Sequence, residues 1–440
     1  MTTMRIRTTH ALACGLLALA AARPGAAQTY SAGARAAGLA DAFGAVARGA
    51  TAALFNPANL GQPGTPRFSL LVAGANASVG AGPITLGDLD AYGGRLVPDS
   101  VKQRWLGQIP AGGRQVGGAS VDAGALAVGV GPFALTFGAV GDARVDLPRE
   151  AVEVLLFGNG GAAGTPSDVT IPDGEGDGFG VSFVGLSFGL PVYRDGAGAG
   201  RRTLSIGATG KYLAAGALAQ LWDAGGTLTA DPITADLRYP AFVAFDEDAP
   251  FASTGFGADL GVAWSAPRYA LGLTVSDVFN TFEWDRATVD VYDGRAFLST
   301  DSSGGSFDAV PLDDPGLPAA LRDSVLARLD DARFRPAFRL SSMASPSASL
   351  LLSLDLLLRS GSERALQGAV RTRVSGGVEW RPLPALPLRA GGLVEDGGGG
   401  WTLGTGLDLG PVSLAAAYGR RYGDRRDERL ALSLEIVTGR

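Results

Sequence analysis

The sequence has very little of three residue types that serve catalysis and metal binding. Its 440 residues include one cysteine, Cys14, one histidine, His10, and only two lysines, Lys102 and Lys211. Beyond residue 27, the chain therefore offers no disulfide, no zinc site of Cys and His, and no histidine base. A serine with a lysine base would need one of the two lysines, and an ion pair with a carboxylate such as Asp259 is the simpler role for Lys211. We expect no enzymatic activity and no cofactor.

Dense basic stretches and long apolar runs are also missing. The formal net charge is −6, and no segment carries enough Lys and Arg to follow a phosphate backbone, which argues against nucleic-acid binding. Beyond the N-terminus no run approaches about eighteen apolar residues, so we expect no transmembrane helix. The other way to cross a bilayer is a closed β-barrel, in which every backbone N–H and C=O is paired.

The first 27 residues have the three parts of a secretory signal peptide. Arg5 and Arg7 form a basic start, residues 11–22 are apolar, and small residues precede a cleavage point before Gln28. Lipid attachment at Cys14 is the alternative, but the residues before it fit that processing poorly and the apolar run continues past it. We predict a cleaved signal peptide over residues 1–27 and export of the rest.

Alternating polarity is abundant. Between residues 347 and 359 the leucines at even positions share one face, while Ser353 and Asp355 lie on the other. A soluble β-sandwich also alternates, but Gly and small polar residues on the minor face, and aromatic residues near strand ends, favour a transmembrane antiparallel β-barrel. The same period of two recurs at 203–212, 255–264, 269–277 and 373–380.

Fifteen segments are candidate strands. Because bacterial single-chain barrels have even strand numbers, we predict a barrel of about fourteen. The candidates begin near Arg67, Val116, Phe133, Phe179, Thr203, Ala217, Gly255, Tyr269, Phe334, Ser347, Arg373, Leu386, Trp401, Val412 and Leu430.

Longer inserts separate some of these strands and are predicted to be extracellular loops. Residues 318–329 have the apolar spacing of a helix. Residues 173–178 alternate carboxylates with Gly, but Val184 stands where a calcium loop needs its closing Glu. We therefore predict a solvated acidic turn there and no metal site. The inserts are 86–113, 145–177, 230–253 and 283–333.

The start of the exported chain carries a more specific pattern. A Gly-x-Arg-x-x-Gly opening leads into a helix of small residues, and an Asn-Pro-Ala turn follows. This block resembles the FadL/PorV superfamily of outer-membrane barrels, and weaker matches extend over most of the chain. Asn59 replaces the usual Gly of the turn. The chain also ends on Arg440, whereas such barrels usually end on an aromatic residue that the barrel assembly machinery reads.

The resemblance implies an outer-membrane location and a hatch, residues 28–66, folded inside a barrel formed by residues 67–440. The small side chains of this segment cannot make a core of their own, so it needs walls to pack against. A free or surface-bound N-terminal helix is the alternative. The hatch and gating candidates are Gly33, Arg35, Gly38, Phe43, Asn56, Pro57 and Ala58.

Ionisable residues on the predicted lumen faces are the second set of candidates. They contact the hatch or a solute, or they pair only with one another and hold the barrel in shape. The resemblance, with Gly-rich strands that leave room for a pocket, favours passive transport of hydrophobic or amphipathic small molecules. The alternative is a PorV-like, non-transporting partner of a protein secretion system. Expected partners are outer-membrane lipid, the barrel assembly machinery, and either a hydrophobic solute or secretion-system proteins. The lumen candidates are Lys211, Asp259, Asp277, Asp355, Arg373 and Glu379.

Overall fold

Long antiparallel strands dominate the structure, which is a computed structural model. It describes residues 33–171, 173–196, 201–299, 301–360, 366, 372–423 and 425–439. The predicted signal peptide, 1–27, and the first residues of the predicted hatch, 28–32, lie outside the described residues.

Fourteen strands of the described residues form one closed barrel. The first, β1 (Phe68–Gly82), pairs with the last, β14 (Arg426–Thr438), and this pairing closes the ring. Closure matters because an open strand edge in lipid would leave backbone N–H and C=O groups unpaired. Every other strand pairs with its neighbours along the chain. The intervening strands are β2 (Arg114–Val130), β3 (Phe133–Pro148), β4 (Glu175–Asp195), β5 (Arg202–Trp222), β6 (Ser253–Ala266), β7 (Tyr269–Asn280), β8 (Ala337–Ser347), β9 (Leu350–Arg359), β10 (Thr372–Leu383), β11 (Leu386–Glu395), β12 (Gly398–Leu409) and β13 (Val412–Gly423).

Side chains alternate between the outer surface of the barrel and its lumen. In β9, Leu354 is 54% exposed, whereas the neighbouring Ser353 is 8% exposed. Phe256 in β6, Leu271 in β7 and Leu403 in β12 also lie exposed on the outside. An apolar outer surface suits lipid, and a polar inner face suits a wet or filled lumen. The predicted fold class, a transmembrane antiparallel β-barrel of fourteen strands with the N-terminal segment in its lumen, is confirmed.

The two ends of the barrel differ in the length of their loops. At the short-turn end, two-residue turns at 131–132, 267–268 and 410–411 join adjacent strands. At the long-loop end lie most of the helices and all the short strands. The described residues contain no helix that is both long enough and apolar enough to cross a membrane. The helices are α1 (Ala34–Gly38), α2 (Ala52–Phe55), α3 (Leu86–Asp90), α4 (Asp99–Gln108), α5 (Arg149–Phe157) and α6 (Ala319–Asp331), with 3-10 turns at Gly49–Thr51, Pro57–Gly61, Gly158–Gly160 and Arg286–Thr288.

The long loops pack into a cap with its own apolar core. Phe242, Val291 and Val325 are fully buried there, together with inward residues of β5 such as Leu213. Helix α6, which contains Val325, covers the helical segment predicted from the sequence. Short strands tie the loops together: Val169–Thr170, Thr227–Ala230, Ile233–Arg238, Ala241–Ala244, Val289–Tyr292, Arg295–Leu298, Ser303–Ser306 and Ala309–Pro311.

Two sequence predictions about strands are corrected. The candidate strand near Ala217 is the second half of β5, because the register skips Gly216 in a bulge and the alternation changes phase there. The predicted acidic turn at 173–178 is already strand from Glu175, whose partner in β3 is Asp146. Gly and charged residues occupy the first positions of this strand and give no apolar alternation. The alternation seen in the sequence therefore begins several residues after the strand does.

Candidate functional site

The N-terminal residues 33–62, here called the plug, lie inside the barrel. Almost all of them are buried, and the larger apolar side chains Leu39, Phe43, Phe55 and Leu60 pack into a small core. The rings of Phe43 and Phe55 meet edge to face at 5.2 Å. The remaining plug residues are mostly Ala and Gly, so the segment depends on the barrel wall for its packing.

Arg35, in α1, joins the first half of the plug, residues 33–44, to the inner face of the barrel strands, here called the wall. Its Nε lies 2.9 Å from Oε2 of Glu379, and its Nη2 donates to Oε1 at 3.1 Å. Arg389 donates to the same carboxylate at 2.7 Å. Such bidentate arginine–carboxylate contacts fix both the distance between the two groups and their relative orientation.

Asp41 makes a second charged anchor a few residues further on. Arg429 of β14 donates to both carboxylate oxygens, at 2.7 and 3.1 Å, and Arg373 lies 3.9 Å away. Burial alone would raise the pKa of the Asp41 carboxyl, but Arg429 and Arg373 outweigh burial and hold that pKa well below its usual range. Asp41 is therefore ionised at neutral pH.

A wall carboxylate completes the charged contacts. Asp355 of β9 accepts the backbone N–H groups of Phe43 and Gly44, at 3.3 and 3.0 Å. Arg339 donates to the same oxygen at 2.9 Å. The plug backbone thus has a fixed place on this side of the lumen.

The second half of the plug, residues 49–62, makes no ion pair because it has no ionisable side chain; its contact with a charged group is that of the Phe55 ring with the guanidinium of Arg339, 5.2 Å away. Asn56 donates through Nδ2 to the carbonyl of Val262 at 3.0 Å, and its Oδ1 accepts the N–H of Ala58. Gln62 donates to the carbonyl of Ala263 at 2.7 Å. These are neutral hydrogen bonds of ordinary strength.

Wall glycines face this neutral half. A Cβ added at Gly207 would collide with Ala58, and one at Gly261 would collide with Asn56. The same holds for Gly189 against Pro57. The Gly-rich strands were expected to leave room for a solute pocket, but at these positions the missing side chains make room for the plug backbone.

A cavity, here called the lumen cavity, lies where the plug meets the long-loop end. It is narrow and partly open to solvent, with a volume of about 40 Å³ for the centres of water-sized molecules, so a larger solute enters only if the plug or the lining side chains move. Ala53 and Leu54 of the plug form part of its lining. The other lining residues are Thr136, Val140, Phe179, Val181, Phe183, Thr209, Lys211, Asp259, Ser276, Asp277, Phe334, Ala337, Arg359 and Leu366.

Lys211 forms the charged centre of this cavity. Its Nζ lies 2.8 Å from Oδ1 of Asp259 and 2.7 Å from Oδ1 of Asp277. Asp277 has a φ of +53° and sits where the register between β6 and β7 shifts, so a bulge turns its carboxylate inward. Its N–H donates to Asp259 at 2.8 Å, which ties the two carboxylates together.

The structure divides the lumen candidates into two groups. Lys211, Asp259 and Asp277 meet at the lumen cavity, whereas Asp355, Arg373 and Glu379 contact or approach the plug. All seven hatch candidates lie in the plug, against its core or the wall: Gly33, Arg35, Gly38, Phe43, Asn56, Pro57 and Ala58.

Several functional positions were missed by the sequence reasoning. Three arginines on the lumen faces of β8, β11 and β14 could have been found from the alternation of those strands. They are Arg339, Arg389 and Arg429. Asp41 carries no such signal, because the polar and apolar residues of the plug do not alternate with the period of a strand. The apolar lumen residues Phe179 and Phe183 contradict the rule that lumen faces are polar, and only the fold reveals them.

Fold and lumen together define a transmembrane β-barrel that holds its own N-terminal segment inside. No protein-family model and no curated protein matches this sequence. Among solved structures, the chain is similar to the CymD monoaromatic hydrocarbon channel, with 12% identity over 94% of this chain and 99% of that chain and a TM-score of 0.49.

Two further structures show a similar likeness. A Pseudomonas aeruginosa FadL homologue has 12% identity over 94% of this chain and 98% of that chain, with a TM-score of 0.46. The Pseudomonas putida toluene transporter TodX has 10% identity over 94% of this chain and 100% of that chain, with a TM-score of 0.45. All three scores are below 0.5, so the fold is assigned from this chain's own strand pairing.

Proposed function

We propose that the protein is exported by a cleaved signal peptide to the outer membrane, where it passes hydrophobic or amphipathic small molecules by passive diffusion. In this role it is a channel and not an enzyme. The plug acts as a hatch between the lumen cavity and the short-turn end.

The observation that carries the proposal is the lining of the lumen cavity. One side is apolar wall, including Val140, Phe179 and Phe183, and the floor is plug, at Ala53 and Leu54. Burying an apolar solute there is favourable at about 25 cal/mol for each Å² removed from water. A solute in this cavity therefore contacts the one segment that it must displace to move on.

The plug residues at the cavity belong to the neutral half. Leu54 lies in α2, two residues before Asn56. Displacing this half breaks neutral hydrogen bonds and glycine packing and leaves the ion pairs of Arg35 and Asp41 intact. A solute bound by a modest apolar surface can supply free energy of that order, since each neutral hydrogen bond contributes about 1 kcal/mol.

Uptake of N-phenyl-1-naphthylamine tests the transport role. This uncharged, apolar fluorophore is excluded by an intact outer membrane. Cells that express the barrel should take it up faster than cells that lack it, and Val140→Trp, which fills the lumen cavity, should reduce the gain at least about tenfold. Val262→Trp is the matched control, because Val262 is 43% exposed on the lipid side. Equal uptake with and without the barrel would contradict the proposal.

The secretion-partner role stays a hypothesis with a different signature. Native mass spectrometry of the barrel in mild detergent separates the two. A discrete bound lipophile supports transport, whereas an empty barrel that carries another protein supports the partner role.

A further inference from the structure

We propose that the lumen cavity selects uncharged amphiphiles over charged ones. The inference rests on the proposed transport function and adds the charge of the solute to it. It comes from the balance of charge around the cavity and from the chemistry of the remaining lining groups.

The ionisable side chains that line the cavity are balanced within the part of the chain that the structure describes. Lys211 and Arg359 carry positive charge, and Asp259 and Asp277 carry negative charge. Lys211 sits between the two carboxylates at 2.8 and 2.7 Å. Its side chain is 4% exposed and that of Asp277 is 2% exposed, so these charges already compensate one another away from bulk water.

An ionised headgroup would upset this balance. Moving an ion out of water is far more costly than moving an uncharged polar group, unless the ion finds a partner charge. Arg359, the other positive lining residue, is also engaged with a partner of its own. A carboxylate could therefore pair with Lys211 only by separating it from Asp259 or Asp277. It could pair with Arg359 only by displacing the present contact of that residue. An alkylammonium could pair with either aspartate only by displacing Lys211.

An uncharged headgroup needs no such exchange. The hydroxyl-bearing residues Thr136, Thr209 and Ser276 also line the cavity, and hydroxyls both donate and accept hydrogen bonds. The apolar body of the solute would contact Val181, Phe183 and the other apolar lining residues. The chemistry of the lining thus suits a molecule with an apolar body and one uncharged polar end, which enters as the plug gives way.

Three probes with the same alkyl chain test the charge preference: 1-octanol, octanoate and octylammonium. Each is equilibrated at neutral pH with the full-length exported chain in lipid nanodiscs, and empty nanodiscs correct for partition into lipid. We expect 1-octanol to bind at least about tenfold more tightly than either ion. Octanoate or octylammonium binding as tightly as 1-octanol would overturn the proposal.

Two variants shift the balance in opposite directions. Asp277→Asn leaves the lining one unit positive and should tighten octanoate at least about tenfold; Asn accepts the positive φ of this position. Lys211→Gln leaves the lining one unit negative and should tighten octylammonium instead. Asp293→Asn is the matched control, since Asp293 pairs with Arg295 at 2.8 Å in a loop, away from the cavity lining, and it should leave the preference unchanged.

The outcomes separate this inference from the transport function. If the three probes keep the same order of binding affinity in both variants, the inference is overturned. If none of the probes binds while uptake of N-phenyl-1-naphthylamine continues, the cavity is not the solute site. The inference is then wrong, and the transport function stands. Loss of both binding and uptake would overturn the transport function as well.

Discussion

The two halves of the plug are held by different forces. Residues 33–44 are tied to the wall by charge, through Arg35 with Glu379 and Asp41 with Arg429. Residues 49–62 carry no ionisable side chain and make no ion pair with the wall; they rely on neutral hydrogen bonds, on the contact of Arg339 with the Phe55 ring, and on wall glycines. Wall glycines also meet the first half, where Gly377 and Gly391 approach Leu39 and Ala40, so the ion pairs are what distinguishes the two halves. In the proposed function, the first half is the anchor and the second half is the part that a solute displaces.

The difference follows from how each interaction depends on distance. Coulomb attraction falls slowly, so an ion pair survives a small shift of the plug, while breaking it leaves a buried charge uncompensated. Van der Waals contact falls steeply, so backbone packed on a glycine loses its contacts within an ångström. In the proposed hatch role, this difference lets the plug open at one half and stay attached at the other.

The largest expected effect comes from Asp41→Asn. Removing the charge leaves Arg429 buried without its carboxylate, and breaking a buried pair costs about 3–5 kcal/mol. Asn keeps the backbone conformation, because Asp41 has a φ of +63°. Hydrogen exchange of residues 33–44, measured by mass spectrometry, should rise sharply.

A double-mutant cycle with Arg429→Gln isolates the pair. The double variant should regain part of the lost protection, because the buried guanidinium that has lost its two hydrogen bonds to Asp41 is then removed as well. If exchange of residues 33–44 is the same in Asp41→Asn and in the unmodified chain, the charged half is not the anchor.

The next effect comes from Gly207→Val. The new side chain would collide with Ala58, and overpacking of this kind costs about 1–3 kcal/mol. Exchange of residues 49–62 should rise, while that of residues 33–44 stays near its original rate. Gly210→Val is the control from the same strand, since a Cβ there meets nothing within 4 Å. Equal effects at both glycines would show that the wall does not shape the plug.

Strands were largely predictable from the sequence because a period of two is a local property. Ser353 and Leu354 were assigned to opposite faces from that period alone, and the structure places them so. A bulge breaks the inference, as at Gly216, where one extra residue in β5 made a single strand look like two. The bulge at Asp277 also changes the phase. Leu271 and Leu273 face outward, and simple alternation would place Asp277 with them, but it is buried and Val278 is exposed instead.

The lumen was only partly predictable, because its contacts join residues hundreds of positions apart. Asp41 meets Arg429 across the closed ring, and nothing local to either residue records the other. The same holds for Gly207 and Ala58. A glycine in a strand signals close approach of some group, but whether that group is a solute or the chain's own backbone is decided only by the three-dimensional fold.

The smallest expected effect concerns pH and separates the two halves without a mutation. Arg429 and Arg373 hold the pKa of Asp41 below its usual range despite burial. A carboxyl whose pKa is lowered by folding contributes stability that is complete above its unfolded pKa of about 4 and is lost as the pH falls through the folded value. Protection of residues 33–44, corrected for intrinsic exchange rates, should therefore stay level from neutral pH to about pH 5 and fall only below about pH 4. Residues 49–62 should show no such fall, and Asp41→Asn should reduce it in the first half. A decline already complete above about pH 5 would mean that a group other than Asp41 governs the anchor.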